Sequence, residues 1–182
     1  AQLAETLAMG CWTPQETFGN ESGWRAEPLV PDGSRFRVLF QGKEQGSVEW
    51  ELIGTHNVLN ALAAIAAARH AGVPVKTGCA ALKEFRNVKR RMEVRGTVRG
   101  VAVYDDFAHH PTAIRETIAG LRERYRDGRI LAVFEPRSNT LKKGVMIEAL
   151  PASFAQADRV FIFSAGLSWD AGALFAPLGA RA

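Results

Sequence analysis

Two cysteines, Cys11 and Cys79, are all that the 182 residues contain. They show no ligand-like spacing, which argues against a disulfide framework or a zinc cluster. They read as small apolar packing residues of a chain from a reducing compartment. No run of eighteen apolar residues occurs, which excludes a membrane-spanning helix. The opening AQLAETLAMGCW lacks the basic start and long apolar stretch of a secretory signal. An initiating Met is also lacking, and a fragment of a longer chain is the simplest reading. Charge of one sign is only slightly in excess: a net +4 suits an anionic small molecule as well as a nucleic acid. What is present is the balance of a globular protein. Hydrophobic residues make up 47% and charged ones 23%, enough for a real core in one domain, or one domain and part of another.

The order of patterns is informative. Residues 1 to about 33 read as irregular, with turn formers at Gly19-Asn20, Pro28 and Pro31-Asp32-Gly33. Period-2 alternation over 35–40 and 47–52 predicts a hairpin closed by residues 41–46. The Ala/Leu-rich stretch 57–71 has no internal breaker and stops at Gly72, which predicts a helix; being apolar nearly all round, it should be buried. A short helix capped by Thr77 is expected over 77–85. Lys89-Arg90-Arg91 then marks a boundary, and the rhythm becomes strand–helix–strand. Strands are expected at 92–97, 101–104, 130–134 and 159–163, and helices at 112–125 and 141–150. Alternating β and α segments with apolar strands imply an α/β fold, a parallel sheet covered by helices.

In such a sheet ligands gather beyond the carboxyl ends of the strands. Two polar segments stand there: Asp105-Asp106-Phe107-Ala108-His109-His110-Pro111, and Glu135-Pro136-Arg137-Ser138-Asn139-Thr140. Each leads into a helix, whose N-terminal N–H groups favour anions. Asp105 and Asp106 suit sugar hydroxyls or a metal, and equally well a turn cap. His109 and His110 are neighbours that rarely both face one ion, so a hydrogen-bonding role is favoured. Arg137 offers a guanidinium fork for a carboxylate or phosphate, against the plainer reading of a surface ion pair. The basic run reads as a solvated turn, or as an arm reaching a phosphate across a cleft. Without interleaved aromatics it does not read as a nucleic-acid surface. Asn57 and Asn60, three apart, share a helix face where their amides fit a purine edge or a cap.

The succession GTHNVLNALAA, VKRRMEV, YDDFAHHPTAI and FEPRSNT resembles the Mur ligase family, from about residue 35 to about 165. The last two motifs are similar to those of members that join the recycled tripeptide L-Ala-γ-D-Glu-meso-diaminopimelate to UDP-N-acetylmuramate. A sibling branch that adds L-alanine carries a histidine-containing sequence where this chain has EPRSNT. The resemblance implies two parts: residues 1–76, the C-terminal part of a central ATP-binding domain, and residues 77–182, a truncated Rossmann-like C-terminal domain. The family's GTxGKT-type phosphate loop is absent from this chain, as are the UDP-binding domain and most magnesium ligands, so no metal residue is assigned and the fragment alone should be inactive.

The resemblance also implies roles. His56, Asn57 and Asn60 match the HNxxN segment against the adenine of ATP, and Arg91 the arginine that reaches the phosphates. Asp105 or, by a small margin, Asp106 matches the carboxylate on the ribose. His109 falls where the incoming amine meets the phosphates. Arg137, Ser138 and Asn139 would bind the peptide. The implied reaction, with ATP and Mg2+, activates the lactyl carboxylate as an acyl phosphate, from which the peptide amine then displaces phosphate. The expected setting is cytoplasmic cell-wall synthesis and recycling, with no nucleic acid and no membrane. Two alternatives stand beside it, the alanine-adding ligase and a non-catalytic nucleotide- or peptide-binding module.

Overall fold

A computed structural model describes residues 2–181. Two hydrophobic cores divide the chain. The first is built on an antiparallel sheet of β1 (Trp24–Pro28), β2 (Arg35–Phe40) and β3 (Lys43–Glu49), in that order, preceded by the short helix α1 (Gln2–Ala8). Helices α2 (Thr55–His70) and α3 (Val75–Lys83) pack on it. Trp24, Phe36, Val38, Val48, Leu62 and Ile65 are buried between these layers. Burying each such side chain stabilises by about 1.5–3 kcal/mol.

Several expectations are corrected here. β1 lies inside the stretch read as irregular. Trp24 faces Phe40 and Ala26 faces Val38, so pairing with β2 makes a strand that Gly23 and Pro28 disguise. The hairpin turn is only Gln41-Gly42, with φ of 49° and 75°; two positive φ values match the right-handed twist of the arms. β3 therefore starts at Lys43, not Ser47. A register shift leaves Gln45 unpaired, between Val38↔Gly46 and Leu39↔Glu44. α2 buries one face only, through Val58, Ala61, Leu62 and Ile65. It ends as expected at Gly72, φ 91°, whose N–H donates to the Arg69 carbonyl while that of Val73 donates to Ala68. α3 starts after Pro74, so Thr77 sits inside the helix and caps nothing.

The second core lies under β6 (Leu131–Phe134) and β7 (Arg159–Ile162), which pair in parallel as expected of the α/β pattern. α4 (Pro111–Arg124), α5 (Asn139–Lys142), α6 (Leu150–Ser153) and α7 (Ala171–Phe175) supply the rest. Ile114, Ile118, Phe134, Leu150, Phe154 and Val160 are its buried centre. Arg122 pins the outer loops, donating to the carbonyls of Gly128 and Gln156 and pairing with Asp158 at 2.5 Å. β4 (Glu93–Val98) and β5 (Val101–Asp105) form a separate antiparallel ribbon around Arg99-Gly100.

Two further corrections fall in this half. β6 and β7 bury one face only: Val133 is 82% exposed and Phe161 55%. Among the described residues each strand has a single neighbour. The helix expected over 141–150 breaks after Lys142. Gly144 (φ 80°) and Met146 (φ 61°) turn the chain, a short 3-10 turn follows at Ile147–Ala149, and α6 begins at Leu150. The glycine ends α5 as Gly72 ends α2, its N–H donating to the Leu141 carbonyl and that of Val145 to Thr140.

The two units meet where α4 crosses the entry of α2. A Cβ built on Gly120 would stand 3.1 Å from the Gly54 Cα. One turn on, Arg124 Nε lies 3.5 Å from Oδ2 of Asp32, a buried carboxylate whose other oxygen accepts the Ser34 N–H. No helix among the described residues is long and apolar enough to cross a membrane.

Candidate functional site

Among the loops that connect the carboxyl end of a strand to the start of a helix, two carry the polar segments singled out from the sequence. One runs from β5 through Asp106–His110 into α4, the other from β6 through Glu135–Ser138 into α5. Helix N-termini present unpaired N–H groups and the positive end of the dipole, so both loops favour anions.

The first loop is stitched to the linker between the units. Met92 N–H donates to Asp106 Oδ2 at 2.8 Å, and Ala108 N–H to Oδ1 at 2.7 Å. Phe107 N–H donates to the Arg90 carbonyl at 2.7 Å, and the Asn87 amide to that of Arg91. Left-handed φ values at Arg90 (60°) and Met92 (51°) bend the linker to reach these partners. The two carboxylates thus differ: Asp106 is tied into the backbone, while Asp105 rests 3.7 Å from Arg90 Nε. Arg90 also lies over the Phe107 ring, 5.7 Å from its centroid. Arg91 is exposed, and its guanidinium has no hydrogen bond or ion pair among the described residues.

His56 faces this loop from the start of α2. Its ring lies against Gly54, whose φ of 93° and missing Cβ leave the room: a Cβ there would stand 2.8 Å from the ring. Nδ1 is buried and has no hydrogen-bond partner. Burial holds the imidazole pKa below its ordinary value; Glu116 and Asp106 pull the other way, and the positive charge of Arg91 adds to the depression. The folded protein therefore resists a proton that the unfolded chain accepts, and stability falls as pH drops through the ordinary histidine pKa. Denaturant midpoints between pH 7.5 and 5.5 should fall less steeply for His56→Gln than for the parent sequence. Equal slopes would remove His56 as the cause.

Other expected site residues are placed less simply. Asn57 Nδ2 donates to the Ile53 carbonyl at 2.8 Å, bracing the first turn of α2, while Asn60 is exposed one turn further on. His109 Nδ1 lies 3.1 Å from the Phe107 carbonyl oxygen, its ring edge-on to Phe107 at 5.1 Å. His110 caps α4, its Nδ1 accepting the Thr112 N–H at 3.2 Å. In the second loop Ser138 Oγ accepts the Leu141 N–H at 3.2 Å and caps α5. Arg137 Nε pairs with Glu135 at 3.2 Å, both side chains well exposed, and Asn139 opens α5 on the surface. Pro136, fully buried, anchors the loop between them.

Arg91 and Asp106 thus both lie within electrostatic reach of His56, at the junction of the units. Among the described residues, Arg137, Ser138 and Asn139 form a second group with no hydrogen bond or ion pair to the first. A cleft of about 750 Å3 also opens between the units, lined by Trp50, Asn57, Met92 and Tyr104, but not by His56, Arg91 or Asp106. Sequence reasoning missed Glu116, which faces His56 from α4, and the contacts Gly54–Gly120 and Asp32–Arg124. The only available signal was an isolated glycine inside the helical pattern of α4. Among the described residues no group of three or more His, Cys, Asp or Glu is placed to hold a metal ion.

Comparison with known proteins supplies the remaining observation. The family pattern "Mur ligase, glutamate ligase domain" matches residues 90–179. The UDP-N-acetylmuramate–L-alanyl-γ-D-glutamyl-meso-2,6-diaminoheptandioate ligase of Escherichia coli (strain K12) is 49% identical over 170 residues, which are 92% of this chain and 37% of that protein. The crystal structure of a murein peptide ligase from Psychrobacter arcticus 273-4 superposes with a TM-score of 0.63 at 45% identity, covering 96% of this chain and 38% of the other. The UDP-N-acetylmuramate–alanine ligase of Thermotoga maritima superposes with a TM-score of 0.68 at 27% identity, covering 84% and 35%. The chain spans little more than a third of the length of these relatives.

Proposed function

The chain belongs to the Mur ligase family, and from that premise we propose that it is the C-terminal part of an ATP-dependent ligase joining L-Ala-γ-D-Glu-meso-diaminopimelate to UDP-N-acetylmuramate. The observation that carries the reading is overall likeness in sequence: 49% identity over 92% of this chain to a ligase for that peptide, against 36% over 80% for an alanine-adding ligase and 46% over only 56% for another. The setting proposed is cell-wall recycling in the cytoplasm.

On packing, α3 goes with the first unit, because Val75, Cys79 and Leu82 join its core. We accordingly place the end of the central domain near residue 84, later than residue 76, and the C-terminal domain from about residue 90, where the family pattern begins.

The residues present fit a nucleotide. Arg91 is an uncommitted cation beside the imidazole of His56, whose orphaned Nδ1 stands at the mouth of α2 with the exposed amide of Asn60 one turn away. Asp106, or Asp105 beside it, would hold the ribose, and Arg91 the phosphates. ATP with magnesium supplies the activation, converting the lactyl carboxylate into an acyl phosphate; the magnesium ligands are proposed to lie elsewhere in the parent chain. This chain's own part is to orient and to stabilise charge. Arg91 would lie along the transferring phosphoryl group, and His109 would meet the incoming amine. Arg137, with Ser138 and Asn139, would seat the peptide's carboxylates. Bringing amine and acyl group together supplies much of the acceleration.

The test is ADP release by the full-length parent with ATP, magnesium and UDP-N-acetylmuramate, offered the tripeptide or L-alanine separately. Turnover with the tripeptide alone is expected. Turnover with alanine alone would make it the sibling enzyme, and none with either would leave a binding module.

A further inference from the structure

Beyond His110, the first turns of α4 and the segment between α5 and α6 line an open hollow of about 380 Å3, separate from the cleft between the units. Its walls are mostly apolar, formed by Pro111, Met146, Ala149 and Ala152. Two opposite charges stand on it, Arg115 from α4 and Glu148 from the 3-10 turn. Neither is firmly held. Arg115 reaches only Glu116, its sequence neighbour, at 3.4 Å, and Glu148 has no partner among the described residues. The wall is also shaped by backbone strain: Met146 sits at φ 61°, ψ 16°, a left-handed conformation that side chains other than Gly and Asn seldom adopt. Such strain concentrates where a ligand has to be accommodated.

We infer that this hollow receives the distal end of the peptide substrate, a diamino acid carrying a free carboxylate and a free ammonium on one carbon. The carboxylate meets Arg115, the ammonium meets Glu148, and the connecting methylenes lie on Ala149 and Ala152. An apolar cavity with a few convergent polar groups is the common form of a small-ligand site. The opposite charges select a zwitterion over either a plain carboxylate or a plain amine. An amino acid whose side chain is a single methyl cannot bridge them. The inference rests on the peptide-ligase reading above and extends it to residues outside the Arg137–Asn139 loop.

The test uses the full-length parent with two peptides, one ending in meso-diaminopimelate and one ending in L-lysine, which lacks the distal carboxylate. The wild type should prefer the first by about tenfold or more in kcat/KM, the range of a charge-assisted hydrogen bond. Arg115→Ala should raise KM for the diaminopimelate peptide by a similar factor and leave its kcat and the KM for ATP nearly unchanged. It should also leave the lysine peptide at its wild-type rate, so that the preference disappears. Glu148→Gln should weaken both peptides, since each keeps the ammonium. Equal losses on both peptides with Arg115→Ala would mark a structural role and overturn the assignment, as would no change with either. A wild type that turns over no peptide overturns the ligase reading and this inference together, and does so before any substitution is made.

Discussion

Replacing Asp106 by alanine in the full-length enzyme is expected to lower kcat/KM by about a hundredfold or more, while Asp105→Ala costs far less. Both oxygens of Asp106 accept backbone N–H groups, one from the linker at Met92 and one from the loop at Ala108. Hydrogen bonds to a charged group contribute about 1.5–3 kcal/mol each. Losing both frees the segment that carries Arg91 from the segment that carries His109. At about 1.4 kcal/mol per factor of ten, misplacing either group by the energy of these bonds reaches a hundredfold. Asp105 has only an Arg90 partner at 3.7 Å, half-exposed on both sides, and such a pair is worth about 0–1 kcal/mol. Asp106→Asn keeps one acceptor and turns an amide N–H toward the other donor, so it should fall between. Kinetics and amide hydrogen exchange of residues 90–92 and 107–109 check this together. Unchanged exchange with full activity in Asp106→Ala would refute the tether.

Gly120→Val should separate the two units without unfolding either. The position is buried within α4, and its Cβ would meet backbone on the other side: Gly54 Cα at 3.1 Å and its N at 3.3 Å. Backbone cannot swing aside as a side chain does, and Gly54 itself sits at φ 93°. Overpacking of this kind costs about 1–3 kcal/mol. Lifting α4 by even a fraction of an ångström also stretches the Arg124–Asp32 pair, leaving a buried carboxylate with only its Ser34 partner. Small-angle scattering should show a larger radius of gyration for the variant, and far-UV circular dichroism should show unchanged helix content. Gly120→Ala should do the same to a smaller degree. An unaltered scattering curve for the valine variant would show that this contact does not set the arrangement of the units.

What could be read from sequence follows from how locally each feature is determined. The β4–β5 ribbon, α4 and the parallel pair β6–β7 carry their own period and turn residues within a few positions, and they appear where expected. β1 does not, because Trp24 and Ala26 become a strand only by facing Phe40 and Val38. The polar run Lys43-Glu44-Gln45 hid the start of β3, since alternation cannot be seen across the displaced Gln45. Gly144 was visible inside the helical pattern of 141–150, but its role as a terminator depends on the carbonyls of Thr140 and Leu141 behind it. The site divides in the same way. The two polar loops were evident from their place after strands, whereas the difference between Asp105 and Asp106 was not. Nothing in two adjacent aspartates says which one will find the N–H groups of Met92 and Ala108. Ser138, expected to bind the peptide, caps α5, and His110 takes the hydrogen-bonding role that the sequence favoured by capping α4.

The half-bare parallel pair β6–β7 bears on how the isolated polypeptide behaves in solution. Leu131, Val133, Phe161 and Phe163 offer a greasy patch at the sheet surface. Among the described residues each strand also leaves its outer row of amides and carbonyls open. Open strand edges beside exposed apolar side chains are templates for another copy of the same strand. Above some concentration, then, this polypeptide alone is expected to associate by sheet extension, which light scattering against concentration would register, and a net charge of +4 offers only weak repulsion against it. Crowding, salt and time on the bench become variables of its chemistry as much as any ligand.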